Sequence, residues 1–248
     1  MKKLMIAASA ALIATVGFSL ESANVVGYSE VGLRFGAKGV GSCFVSVDTT
    51  KPINLQDLKA TGYDVEEGYA DEGISLQTLD EAGRTTASYY WYDSAEDEMY
   101  GWYDDEGEYV EGVTFAAGEG LYARAPDATF SLQSAGQVPT SDITVSLRFG
   151  AKIVVNPTPV GIDLQSITIT GYDPEEGYAD EGVSVQTLDE AGRTIASYYW
   201  YDSEDDGMYG WYDDEGELVE GFEVAAGESL YARAPDTSFS IVFPGVTL

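Results

Sequence analysis

"VSVQTLDEAGRTIASYYWYD", residues 183–202, decides the fold. Two runs rich in β-branched and aromatic residues flank Asp189 to Gly192, a turn composition, so the stretch reads as a β-hairpin. Upstream, "ITVSLRF" (143–149) places Ile143, Val145, Leu147 and Phe149 on one face and Thr144, Ser146 and Arg148 on the other. That period of two is the mark of a half-buried strand. Downstream come an acidic turn, "MYGWYD" (208–213), a second turn at "DEGE" (214–217), and a final strand pair within "AAGESLYARAPDTSFSIVF" (225–243). Only "NLQDLK" (54–59) and "DLQSIT" (163–168) suggest a helical turn.

Nearly all of this occurs twice. Gly62 to Pro126 aligns without a gap to Gly171 to Pro235, with 53 of 65 positions identical, which identifies a tandem duplication. The match continues upstream through "LRFGAK" at Leu33 to Lys38 and Leu147 to Lys152, with five more residues between block and body in the first copy. Each copy is near the commonest domain size and large enough for its own core. Val138, Pro139 and Thr140 mark the junction. The expected architecture is all-β: two tandem, near-identical domains, 24–137 and 138–248, each a β-sandwich or a compact β-barrel.

Differences between the copies orient the aromatic strand. Thr86 in the first is Ile195 in the second, an exchange a packed site resists because a buried hydroxyl needs a partner. The face carrying Thr86, Ser88, Tyr90 and Tyr92 is therefore expected to be wet, and Ala87, Tyr89 and Trp91 to face the core.

The chain opens "MKKLMIAASAALIATVGFSLESA", with Lys2 and Lys3 ahead of an apolar run and polar residues after it. This reads as a signal peptide spanning 1–23, and the protein is expected to be secreted, to the cell surface or extracellular space or to the periplasm. No later segment is long and apolar enough to span a membrane as a helix. Losing residues 1–23 removes Lys2, Lys3 and Glu21 and moves the formal charge from -31 to -32. Such a surface repels nucleic acid and anionic membranes. The one cysteine, Cys43, allows no intramolecular disulfide and reads as a small buried apolar residue.

No histidine is present, which removes Ser/His and Cys/His nucleophilic pairs and the commonest metal ligand. Carboxylates are so abundant that picking a glycosidase pair carries no information, and no enzyme is expected. The segments "DSAEDEMYGWYDDEGE" (93–108) and "DSEDDGMYGWYDDEGE" (202–217) each hold eight carboxylates. Two carboxylates about 6 Å apart in water repel by roughly 0.7 kcal/mol, so cations or salt should stabilise the fold. In the second copy Asp202, Glu204, Asp206, Gly207 and Asp213 fall at positions 1, 3, 5, 6 and 12 of a loop, close to the EF-hand register. The first copy keeps Asp93, Asp97 and Asp104 but has Ala95 and Glu98 at the third and sixth positions, and its flanks are strands. A looser Ca2+ site of oxygen ligands is the cofactor this pattern suggests; the alternative is a solvated acidic face. Trp102, Tyr103, Trp211 and Tyr212 lie between acidic turns and are candidates for stacking on an extracellular glycan, against core packing for one of each pair. Arg124 and Arg233, in "LYARAP", are expected to neutralise nearby carboxylates.

"ANVVGY" (23–28), "LRFGAK", the "WYD" strand, "GWYDDEG" (101–107) and "AAGEGLYARA" (116–125) together resemble a class of uncharacterised secreted β-rich proteins from bacteria of the planctomycete and verrucomicrobial group. Those begin after the signal peptide with a similar valine-glycine-tyrosine strand and close with a glycine-rich one. The resemblance implies export and a β-domain, and brings no catalytic residue. The combined expectation is a non-enzymatic structural or interaction protein of the cell surface, with a calcium-dependent carbohydrate-binding module as the alternative. Asn24, Val25, Val26, Gly27 and Tyr28 form an apolar start that the second copy lacks. That segment suits strand addition to a neighbouring copy of the chain, or completion of its own domain's edge.

Overall fold

A computed structural model describes residues 26–33, 36–42, 44–46, 51–62, 74–80, 82–125, 130–148, 150–171, 182–189, 193–203, 205, 207–234 and 238–247. Residues 1–23, read from the sequence as a signal peptide, and Asn24, Val25, Cys43, Glu204 and Asp206 lie outside these residues. The first copy contributes β1 (Val26–Leu33), β2 (Gly36–Val40), β3 (Ile53–Asn54), β4 (Lys59–Thr61), β5 (Ser75–Leu79), β6 (Thr85–Ser94), β7 (Met99–Tyr103), β8 (Thr114–Phe115), β9 (Leu121–Ala125) and β10 (Phe130–Gln137). The second contributes β11 (Ile143–Leu147), β12 (Gly150–Val155), β13 (Ile162–Asp163), β14 (Thr168–Thr170), β15 (Ser184–Leu188), β16 (Thr194–Ser203), β17 (Met208–Tyr212), β18 (Glu223–Val224), β19 (Ser229–Ala234) and β20 (Phe239–Phe243). One-turn helices at Leu55–Asp57 and Leu164–Ser166 occupy the two places where the sequence suggests a helical turn.

The same three sheets form twice. In the first copy the orders are β1-β10-β4, β2-β9-β5-β6-β7 and β3-β8; in the second they are β11-β20-β14, β12-β19-β15-β16-β17 and β13-β18. Every named strand pair is antiparallel. The three-stranded and five-stranded sheets of a copy face each other across one apolar cluster: Leu132 and Phe130 from β10 meet Leu76, Trp91, Trp102 and Leu121 in the first copy. Ile241, Phe239, Val185, Trp200, Trp211 and Leu230 do the same in the second. This is a small sandwich, and no sheet among the described residues closes into the barrel that the sequence left open. Tyr89 and Trp91 are buried, and Ile195 is 67% exposed, as the Thr86/Ile195 exchange requires.

The N-terminal segment is taken up by its own copy. Val26, Gly27 and Tyr28 pair with Gln137, Gly136 and Ala135 of β10. The Phe44 ring lies directly over Gly27, where a Cβ would overlap it, and Gly136 is closely approached by the Val45 carbonyl and the Phe44 Cβ. Two glycines therefore make room for one buried phenylalanine, which the second copy replaces with Thr158.

The copies meet along a seam. At the outer edge of β12, the Val155 N–H donates to the Gly118 carbonyl at 2.9 Å and the Gly120 N–H donates to the Ile153 carbonyl at 3.0 Å. A segment of the first copy thus covers an edge that would otherwise stand open. Lys152 pairs with Glu119 across the seam. Burial raises the Glu119 carboxyl, but the hydrogen bonds from the Lys152 ammonium and the Ala116 N–H outweigh it, and the net shift is downward.

Side-chain volume follows the same line. Gly39 and Gly120 of the first copy correspond in the alignment to Ile153 and Ser229 of the second. A Cβ at Gly39 would overlap the Ser229 side chain and stand 2.9 Å from Ile153, and one at Gly120 would press on Ile153 and Val155. The copies have diverged where they touch, glycine on one side and branched residues on the other. Gly39→Val should therefore cost about 1–3 kcal/mol by overpacking, with Ser229→Gly restoring part of it. Paired denaturant titrations of the single and double variants measure this, and a neutral Gly39→Val rules out the close packing.

Candidate functional site

The acidic hairpins are built by local turn chemistry. The Asp104 Oδ1 accepts from the Glu106 N–H at 3.0 Å and the Glu108 N–H at 2.9 Å, and Asp213 does the same with Glu215 and Glu217 at the same distances. An aspartate so used mimics a backbone turn. Asp104 and Asp213, candidates for metal ligation, thus hold the β7 and β17 turns with one carboxylate oxygen. Asp97 accepts from the Ser94 hydroxyl at 3.0 Å in the turn before β7. Asp93 and Asp202 sit in β6 and β16 opposite Tyr100 and Tyr209. Among the described residues no three carboxylates come together in a geometry that would hold a metal ion. The glycine at the sixth loop position also has a local cause: Gly207 has φ 66° and its counterpart Glu98 has φ 57°. Both occupy the left-handed region a tight turn needs, at a cost to Glu98 of roughly 1 kcal/mol. If the hairpin carboxylates are only screened, calcium chloride and sodium chloride at matched ionic strength raise the melting temperature equally; a saturating excess for calcium would place a selective site in these hairpins.

The tryptophans are corrected outright as ligand platforms. Trp102 and Trp211 are 0% exposed and offer no ring face to a glycan. Trp102 packs edge-on against Trp91 at 5.2 Å and Trp211 against Trp200 at 5.3 Å. Their indole N–H groups donate to the Leu58 and Ile167 carbonyls, each at 2.7 Å. Strand alternation sends the neighbouring residue outward, so Tyr103 and Tyr212 stay on the outer face.

A glutamine that no sequence pattern singled out holds the backbone of each tryptophan in place. The Gln165 side-chain N–H donates to the Trp211 carbonyl at 2.7 Å and the Val219 carbonyl at 2.8 Å, while its oxygen accepts from the Trp211 N–H at 3.1 Å. Gln56 makes the same three bonds to Trp102 and Val110. Each carboxamide stands in for a missing strand partner. It fits only because Gly210 and Gly101, at φ 115° and 114°, carry no side chain where the amide lies. The available signal was the Leu-Gln pair shared by "NLQDLK" and "DLQSIT", whose other four positions all differ.

What this scaffold presents to solvent is a row of tyrosines. Tyr92 meets Tyr103 edge-on at 5.2 Å, and Tyr103 meets Tyr109 at 5.4 Å. The second copy repeats the first of these contacts with Tyr201 and Tyr212 at 5.3 Å, and puts Leu218 where Tyr109 stands. Acidic turns border both rows. No helix among the described residues is long and apolar enough to cross a membrane. No protein-family model, curated protein or solved structure matches the chain.

Proposed function

We propose that this is an exported, non-enzymatic interaction protein of the cell surface that binds a hydroxyl-rich ligand, an extracellular glycan, on the tyrosine rows of its two five-stranded sheets. The observation that carries this reading is the Tyr92, Tyr103 and Tyr109 row. Its rings are held by edge-to-face contacts, so they lose little further freedom on binding. Tyrosine offers an apolar ring face and a polar tip, and the bordering carboxylates accept hydrogen bonds from sugar hydroxyls. The test is calorimetric titration of neutral oligosaccharides into the wild-type chain and into Tyr103→Ala/Tyr212→Ala. Saturable binding that the double variant loses, with its circular dichroism intact, supports the reading; binding that survives in the variant removes it.

A second reading, self-association, draws support from the eight-residue β1 at the edge of its sheet. An edge strand can accept a neighbour's strand. Light scattering and negative-stain microscopy, with and without calcium, separate polymers from monomers. Deleting Asn24 to Ser29 now removes part of a paired strand, so it should destabilise the first copy as well as any assembly.

A further inference from the structure

The chain has 43 acidic and 12 basic residues, and two of those bases, Lys2 and Lys3, lie in the leader. Every cation therefore has carboxylates in surplus from which to draw a partner. Four of the remaining ten nevertheless line one groove of about 990 Å3 at the seam: Arg84, Arg148, Lys152 and Arg233. Asp80 is the one acidic residue among the described residues that line it.

The four cations divide into two pairs. Arg84 and Lys152 are engaged, with Asp80 at 2.9 Å and with Glu119 respectively. Arg148 and Arg233 are exposed and have no hydrogen-bond or ion-pair partner among the described residues. The expectation that Arg233 neutralises a nearby carboxylate is thus not met. The reason is its place in the sheet: its cross-strand neighbours are Ala151 on β12 and Ser184 on β15. Arg148 follows β11, on the same exposed side as Thr144 and Ser146.

Both copies build the walls. The Asp80 to Arg84 turn of the first is closed by the Ala82 and Arg84 N–H groups donating to the Asp80 carboxylate, at 2.9 and 2.8 Å. It stands over β19 of the second, where a Cβ at Gly83 would be 3.0 Å from the Tyr231 hydroxyl.

We infer that this groove is a binding site for a multiply charged oxyanion ligand, carrying carboxylate or sulfate groups, held between the Arg148 and Arg233 guanidiniums. A guanidinium presents its donors as a planar fork that matches such oxygens two at a time. With a net charge of -31, the molecule repels anions at long range. Recognition therefore rests on short hydrogen-bonded contacts inside the groove, where screening is weakest. The site is separate from the tyrosine rows and stands whether or not they bind glycan.

The experiment is isothermal titration calorimetry on the full chain at fixed ionic strength, with sulfate, citrate and a uronate hexasaccharide as probes. Saturable binding of at least one probe is expected, weakened tenfold or more in Arg148→Gln/Arg233→Gln. Lys51→Gln/Lys59→Gln, which removes the same charge away from the groove, should change it less than twofold. Tighter binding of the hexasaccharide than of citrate identifies an acidic polysaccharide as the source, and the reverse order a free small anion. Binding of none of the probes, or equal weakening in both double variants, overturns the assignment. Both arginines are exposed, so matched melting curves are expected and verify that the variants are folded.

Discussion

Trp211→Ala should destabilise the second copy by about 3–5 kcal/mol, the range for removing a fully buried aromatic side chain. Three losses add up at this position. The indole is wholly buried in the second core and packs at 5.3 Å against Trp200. Its N–H serves the Ile167 carbonyl, which truncation leaves without that donor. The cavity cannot collapse readily, because β17 is pinned from outside by Gln165. The expected drop in melting temperature is on the order of 15 °C. Differential scanning calorimetry of the full chain should show it as a low-temperature transition, with the first copy melting later. A loss below about 1 kcal/mol would mean that the two tryptophans do not organise the core.

Gln165→Leu should cost about 2–4 kcal/mol, although it enlarges no cavity and removes no apolar contact. The carboxamide satisfies the Trp211 N–H and the Trp211 and Val219 carbonyls. Leucine fills similar space and leaves the Trp211 N–H and the Val219 carbonyl without that partner, while the Trp211 carbonyl keeps the Val219 N–H at 2.9 Å; each buried orphan costs about 1–3 kcal/mol before water relieves some of it. Gln165→Glu separates the two halves of the effect, since the carboxylate still accepts from the Trp211 N–H but cannot donate to either carbonyl. Urea unfolding should order the three chains wild type, Glu variant, Leu variant, with amide exchange at Trp211 fast only in the last. An equally stable Leu variant would show that the carboxamide is incidental.

Much of the fold was legible because a sandwich buries alternate residues. Val145 and Leu147 are buried and Thr144 and Ser146 exposed, as the period of two requires. The Thr86/Ile195 exchange assigned the wet face of β6 and β16 correctly for the same reason. The clamp was not legible, since a single polar side chain that replaces a strand partner breaks no pattern and creates none. Metal-like spacing in the hairpins is ambiguous by itself, because turn chemistry and calcium loops draw on the same residues, aspartate for its oxygens and glycine for a positive φ. Asp104 and Asp213 spend an oxygen on their own backbone. The seam was visible in the sequence only as unexplained differences: Gly39 against Ile153, and Gly120 against Ser229. Which copy filled which hollow depended on a relative placement that no local pattern encodes, and the unpaired arginines of the groove became apparent only with it.

That placement is also the premise of the groove, which has walls from both copies and would not exist without the seam. Amide hydrogen exchange at Val155 measures it directly. Its N–H lies on the outer edge of β12 and donates to Gly118 of the other copy at 2.9 Å. In the full chain this amide should exchange as slowly as its neighbours in the second core, slower than an open edge by a factor on the order of 1,000. In a fragment of residues 138–248, expected to fold cooperatively with its own core, the same amide should exchange freely while Val185 and Leu230 stay protected. If Val155 exchanges equally fast in both, the copies are not joined along β12, and neither the seam nor the groove exists in solution.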